Sequence, residues 1–254
     1  MVKRTTADSD LALQFVGVDV RFGGFTALDD LNLSIAPGRV TGLVGPNGAG
    51  KTTIVNVASG LLKPGAGHVF LAGREITSLP PWKIARQGLA RSYQDLRLYG
   101  ALSVLDNVAS VPVSRGMRIK QGRCKAMGWL EEFGLSEVAK REANSLSYAE
   151  SKRLSLARVF ATEADVVLLD EPGSGLDEQS TREMIDLLRN IVKARGTTAL
   201  LVEHNLDLIR SISDEVAFLA NGRLVATGAP DEIFSRQDLS ELYFGVGATE
   251  GPVK

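Results

Sequence analysis

The run Gly45-Pro46-Asn47-Gly48-Ala49-Gly50-Lys51-Thr52-Thr53 constrains the fold more than any other stretch of this chain. It fits the pattern G-x-x-x-x-G-K-[ST], in which glycines let backbone N–H groups curl around phosphate oxygens where a helix begins. The flanks agree with that reading. Val40–Val44 predicts a short buried strand leading in, and Thr52–Ala58 predicts a helix leading out, ended by Gly60. In this setting Lys51 reaches the β- and γ-phosphates of a nucleoside triphosphate, and the Thr52 hydroxyl ligates Mg²⁺. The alternative, a glycine-rich strand–helix turn that binds nothing, leaves the joint match of motif, strand and helix to coincidence.

Bulk properties narrow the partners. The chain has 254 residues and is 44% apolar, enough for one large domain or a domain with a subdomain. A net charge of −1, with acids and bases interspersed, gives no electrostatic case for nucleic acid. Cys124 stands alone, which rules out an intrachain disulfide and suits a reducing compartment. His68 and His204 cannot assemble a His-rich metal site. No apolar run has the length of a membrane span, and residues 1–10 are polar without a signal-peptide core. The expectation is a cytosolic chain that meets a membrane only through a partner.

The order of elements reads as α/β. Leu11–Phe22 alternates as a half-buried strand, Leu31–Ile35 is another, and His68–Leu71 a third, closed by Gly73. This opening third predicts antiparallel β around the phosphate loop. From Val104 to Asn144 the spacing is helical, with one helix over Met117–Phe133 that places Met127, Leu130 and Phe133 on its apolar face. Val166–Leu169 and Thr198–Val202 predict buried strands, Glu178–Ala194 and Asn205–Ile212 helices. Val216–Leu219 and Leu224–Ala226 pair across Asn221-Gly222, a strong hairpin signal. Strands alternating with helices imply a parallel sheet covered on both faces. Thr249–Lys254 reads as a loose tail.

Val166–Leu169 runs directly into Asp170 and Glu171. Acids at the carboxyl end of a central parallel strand point into the crevice where ligands bind. Asp170 would hold Mg²⁺ and Glu171 would polarise an attacking water. A strand-ending Asp is also a common turn residue; it is the phosphate loop upstream that favours the functional reading.

With these residues in hand, the chain resembles the nucleotide-binding subunit of an ATP-binding cassette (ABC) transporter over about residues 11–245. The resemblance implies a P-loop NTPase fold: a mixed-sheet core with an antiparallel β subdomain (about 11–94 and 164–230) and a helical signature subdomain (about 95–163), leaving 246–254 as tail. It implies that Phe22 stacks on adenine. Gln94, in Arg91-Ser92-Tyr93-Gln94, would contact Mg²⁺ and the attacking water. Asp170 and Glu171 would be the metal-holding and catalytic carboxylates, and Ser174-Gly175-Leu176-Asp177 the D-loop that crosses a dimer interface. His204 would bond the γ-phosphate. Each has a plainer reading: Phe22 as core, Gln94 as a loop amide, Ser174-Gly175 as a turn, His204 as a polar cap. Their joint order is what those readings leave unexplained.

The family's signature is L-S-G-G-Q, completing the ATP site of a partner subunit. Here it is Leu146-Ser147-Tyr148-Ala149-Glu150. Ala149 would crowd a close backbone approach, and Glu150 would repel a triphosphate unless it turns away. The same letters spell a capping box, Ser147-x-x-Glu150, at the start of a helix over Ala149–Ala161. The expectation is a heterodimer with one strong and one weakened site, in which this chain completes its own half better than its partner's. Asp95–Tyr99 would receive a coupling helix of the membrane subunit, with Leu96, Leu98 and Tyr99 lining the groove. Phe22-Gly23-Gly24, Leu146-Ser147-Tyr148 and the ending Leu242-Tyr243-Phe244-Gly245 are similar to importers of branched-chain or hydrophobic amino acids. Such importers imply permease subunits, an extracytoplasmic binding protein, and attachment at the cytoplasmic face of the membrane. A regulatory ATP sensor, or a soluble ABC ATPase with little turnover, is the alternative.

Overall fold

The computed structural model describes residues 10–244, without the side chain of Phe244; Gly245 and the expected tail lie outside the described residues. In chain order the elements begin with β1 (Leu13–Phe22), β2 (Phe25–Ile35), β3 (Val40–Val44), α1 (Lys51–Ala58), β4 (Ala66–Leu71) and β5 (Arg74–Glu75). There follow α2 (Pro81–Arg86), β6 (Leu89–Arg91), α3 (Val104–Ser114), α4 (Ile119–Glu132), a 3₁₀ turn at Ala143–Ser145 and α5 (Tyr148–Phe160). The last third holds β7 (Val166–Asp170), α6 (Glu178–Arg195), β8 (Thr198–Val202), α7 (Leu206–Ile212), β9 (Glu215–Ala220), β10 (Arg223–Gly228), α8 (Pro230–Ser235) and α9 (Gln237–Phe244). No helix among the described residues is long and apolar enough to cross a membrane.

Two sheets divide the strands. A four-stranded antiparallel sheet runs β2-β1-β4-β5, and a six-stranded mixed sheet runs β10-β9-β3-β8-β7-β6. In the second, β6, β7, β8, β3 and β9 are parallel, and β10 closes the edge antiparallel through the Asn221-Gly222 turn. The expectation of antiparallel β around the phosphate loop needs one correction. The loop's own strand, β3, belongs to the parallel sheet, and the antiparallel sheet lies over it.

Side-chain alternation explains the layering. Along β7, Val166 and Leu168 face one cluster, and Val167 and Leu169 the other. Along β8, Leu200 and Val202 face the first, and Ala199 and Leu201 the second. Both faces are covered, so both strands read as unbroken apolar runs. The first cluster lies between the sheets, with Ile54, Val55 and Ala58 of α1 packed inside it. The second joins the other face to α3, α4, α5, α6 and α7. In β1 the buried set switches from Leu13 and Phe15 to Val18 and Val20, because a register shift between Phe15 and Val18 moves the alternation by one residue.

The expected elements are all present, some with moved ends. β2 begins at Phe25 rather than Leu31, extended by a stretch containing Asp29 and Asp30 that carries no apolar alternation. The Met117–Phe133 helix runs Ile119–Glu132. Leu130 and Phe133 are buried as expected, while Met127 is only partly covered. α2, β6, α8 and α9 have no counterpart in the sequence reading. β6 is three residues long, too short for a period to show.

Candidate functional site

The parallel register brings four loops to one edge. Leu43 and Asp170 both pair with Val202, and Arg91 pairs with Leu168, so β3, β8, β7 and β6 end side by side. From those carboxyl ends emerge the phosphate loop, Asp170-Glu171, Glu203-His204 and the Ser92–Gln94 segment. This is where an open α/β sheet binds its ligands.

The phosphate loop is shaped for an anion. Gly45 has φ +150°, and a Cβ there would lie 2.0 Å from the Leu219 carbonyl oxygen, so only glycine fits. At Gly48 (φ +79°) a Cβ would meet nothing within 4 Å, so that side of the loop is open. α1 starts without a side-chain cap and without an acid in its first turn, whereas α3, α5, α6 and α7 are capped by Ser103, Ser147, Asp177 and Asn205. Unsatisfied N–H groups at a helix start favour negative charge. Lys51 Nζ donates to the Gly45 and Pro46 carbonyls at 2.6 and 3.0 Å, holding a buried ammonium inside the loop. Burial pulls its pKa below the usual lysine range, and the charge of Glu171 opposes that pull. Asn47 is exposed at the tip of the loop, Ala49 is buried beneath it, and Thr52 and Thr53 follow Lys51 in the first turn of α1.

Asp170 is 3% exposed. Its backbone N–H donates to Ser92 Oγ at 2.9 Å, and its Oδ2 accepts from Arg91 at 3.1 Å. Arg91 also donates to Asn56 Oδ1 and Ser59 Oγ, fixing β6 to α1. Asp170 Oδ1 is buried with no hydrogen-bond partner. An orphaned carboxylate oxygen at this edge fits a cation ligand, direct or through water. No cluster of three or more His, Cys, Asp or Glu side chains suited to a metal occurs among the described residues. That donor set matches Mg²⁺, which takes one or two protein ligands and completes its shell with phosphate and water.

Glu171 has φ +49°. A left-handed conformation costs a side-chain-bearing residue about 1–2 kcal/mol and persists only where its surroundings fix it. Its Oε1 lies 2.6 Å from His204 Nε2. Its N–H donates to Val202 O, and its own carbonyl accepts from Ser174 N–H and from Lys152 Nζ. Glu203 is buried, accepting from the N–H groups of Gly173 and His204 and so joining the two loops. Burial pushes its carboxyl above the usual glutamate range, against the pull of those two donors. Tyr243 Oη of α9 donates to the His204 carbonyl at 3.1 Å.

The structure thus gathers the phosphate loop, Asp170, Glu171 and His204, with Gln94 exposed on the neighbouring loop. Phe22 stands apart at the end of β1, paired with Phe25; at 51% and 59% exposed, neither is core. Ser147, Tyr148, Ala149 and Glu150 begin α5. Among the described residues no hydrogen bond or ion pair joins them to the phosphate loop. Glu150 turns back on its own helix, accepting from the backbone and hydroxyl of Ser147 at 2.8 Å each, with Arg141 3.9 Å away. Asp177 caps α6 through Ser180 N–H at 2.9 Å, while Ser174 offers its carbonyl to Tyr148 Oη. Of the expected groove residues, Leu96 lines a cleft with Trp82, Tyr93 and Arg158. Leu98 packs on the core instead, and Tyr99 stacks under Arg158.

Arg91, Lys152 and Glu203 escaped the sequence reading. Arg91 and Glu203 carried a signal, each a charge at the end of an apolar strand, like Asp170. Lys152 carried none, being one of several charges on a helix.

Comparison with known proteins agrees with this geometry. The family described as ABC transporter matches residues 28–174. The chain is 34% identical to the high-affinity branched-chain amino acid transport ATP-binding protein LivG of Escherichia coli K12, over 90% of this chain and 96% of that protein. It is 34% identical to BraF of Pseudomonas aeruginosa, described in the same words, over 92% and 97%. Identity reaches 37% with the phosphonates import ATP-binding protein PhnC 2 of Rhodopseudomonas palustris, over 89% and 87%. Among solved structures, the ADP conformation of MJ1267, an ATP-binding cassette of an ABC transporter, superposes with a TM-score of 0.83 at 28% identity, over 92% of this chain and 99% of that one. The chain belongs to the ABC transporter family, as one of its ATP-hydrolysing cassettes.

Proposed function

We propose that this chain energises an importer of branched-chain or other hydrophobic amino acids, docked on permease subunits at the cytoplasmic face of the membrane and fed by an extracytoplasmic binding protein. The observation that carries the catalytic part is the 2.6 Å contact of His204 with Glu171 beside the phosphate loop. The cargo rests on the likeness to LivG and BraF.

In this reading the phosphate loop and Lys51 bind the triphosphate of ATP, and Phe22 stacks on the adenine. Thr52, Gln94 and the unpartnered oxygen of Asp170 would hold Mg²⁺, which would screen charge on the phosphate oxygens. Glu171 accepts a hydrogen bond from the attacking water and orients it. His204 fixes Glu171 from one side and bonds the γ-phosphate from the other. Glu171→Gln in the assembled transporter is expected to lower ATP turnover by about a hundredfold or more while ATP still binds. Turnover near the wild-type rate would overturn the assignment.

The signature supports a second element of the proposal, a heterodimer with one weakened site. The Ser147 hydroxyl is engaged in the capping box, and Ala149 adds a methyl where close backbone approach is needed. The charge of Glu150 is already turned away and bonded, so repulsion is the smaller part of the weakening. Ala149→Gly then changes turnover only modestly. If the equivalent partner Glu variant is as damaging as Glu171→Gln, or if this chain hydrolyses ATP briskly as a homodimer, the asymmetry is wrong.

A further inference from the structure

The loop that carries Glu171 is held from outside by the signature helix of the same chain. Glu171 stands in the left-handed region, and the turn it opens closes through Ser174 N–H on the Glu171 carbonyl at 3.1 Å. Two side chains of α5 reach across to this turn. Lys152 Nζ donates to the Glu171 carbonyl at 3.3 Å, and Tyr148 Oη donates to the Ser174 carbonyl at 3.2 Å. Residues 148 and 152 are four apart, on one face of the helix, so a single turn of α5 grips both ends of the loop.

The fit is specific at both ends. At Gly175 (φ +79°) a Cβ would lie 2.8 Å from Tyr148 Oη and 3.0 Å from a ring carbon, so the tyrosine fills the space the glycine leaves. Lys152 is 4% exposed, and its ammonium lies 5.8 Å over the Tyr148 ring. Its hydrogen bond goes to a backbone carbonyl and not to a carboxylate. A buried ammonium placed on the carbonyl of a strained residue fixes that residue's backbone.

We propose that Tyr148 and Lys152 are positioning residues for Glu171: the first turn of α5 braces the Glu171–Gly175 loop, tying the segment that completes the partner's ATP site to this chain's own catalytic carboxylate. The proposal rests on the reading of Glu171 given above. A shift of the start of α5 moves the loop at both its ends, so events at one ATP site reach the water-orienting group of the other.

The test measures ATP turnover by the assembled transporter across ATP concentrations. Lys152→Met is expected to lower kcat by about tenfold with KM for ATP within about twofold, since it misplaces a reacting group without touching nucleotide. Lys152→Arg, which can still donate to the carbonyl, recovers most of that loss. Tyr148→Phe, which keeps the ring and removes only the hydroxyl, lowers kcat about threefold, and the double variant is no slower than Lys152→Met, as expected of two contacts holding one loop. Wild-type kcat in Lys152→Met overturns the proposal, as does Lys152→Arg no better than Lys152→Met, or losses that multiply in the double variant. Should Lys152→Met fail to fold, Tyr148→Phe decides: an unchanged kcat overturns the brace. Glu171→Gln run alongside separates the two readings. If it turns over normally the role of Glu171 has failed; if it is inactive while the α5 variants are normal, only the brace has failed.

Discussion

Arg91 holds more of the site together than its place on a short strand suggests. Its side chain is almost fully buried, pairs with Asp170 through one terminal nitrogen, and donates from the other to Asn56 of α1 and to Ser59 just beyond that helix. Arg91→Met leaves a buried carboxylate without its counter-charge, which costs about 3 kcal/mol. The denaturation midpoint should fall accordingly. Arg91→Lys should recover little, because a single ammonium cannot reach three acceptors spread across a planar fork. Charges at the ends of apolar strands are legible in the sequence, Asp170 and Glu171 among them. Arg91 and Glu203 carry the same mark, yet nothing in a single sequence says that one pairs with Asp170 and the other bridges two loops. Those are contacts between residues far apart in the chain, fixed by strand register.

At the level of elements, the helix starts differ in how their free N–H groups are met. Among the described residues α3, α5, α6 and α7 begin on a side-chain cap and α2 and α8 carry a proline in the first turn, while α1 begins on a left-handed glycine and α4 on Arg118, neither with a side-chain cap. Asp177→Ala should weaken the start of α6 by removing the acceptor of Ser180 N–H, read as a lower unfolding midpoint at neutral pH. The α5 cap adds a pH dependence. The Ser147 backbone and hydroxyl hold Glu150 below its ordinary value of 4.5. A depressed carboxyl stabilises the fold above that value and loses its contribution as the pH falls through the lower folded value. Glu150→Gln should therefore be less stable than wild type at neutral pH, with the gap narrowing under acid; equal midpoints throughout would contradict the cap. The capping box was readable because its two residues are three apart. The long periodic helix α6 and the apolar strands were readable for the same local reason. α2 and β6 were not, because six and three residues show no period and their position is set by packing on the sheet.

On the scale of the whole molecule, the phosphate loop leaves a strand shared by two hydrophobic cores. Leu43 of β3 faces the core between the sheets, where α1 is packed, while Val40 and Val44 face the helical side. A ligand held by the loop therefore stabilises both at once. At an ATP concentration a hundred times its Kd, binding should add about 2.7 kcal/mol to the unfolding free energy. Calorimetry should show one upward-shifted transition, and Lys51→Ala should remove most of the shift. The sequence placed the site's parts in order along the chain; it could not show that the last helix reaches back to it. Tyr243 holds the carbonyl of His204 from α9. That contact bears on how the protein is handled at the bench. A fluorescent reporter or cross-linker attached on α9 itself, at the exposed Glu241 for instance, sits two residues from that contact and would act on the backbone of His204.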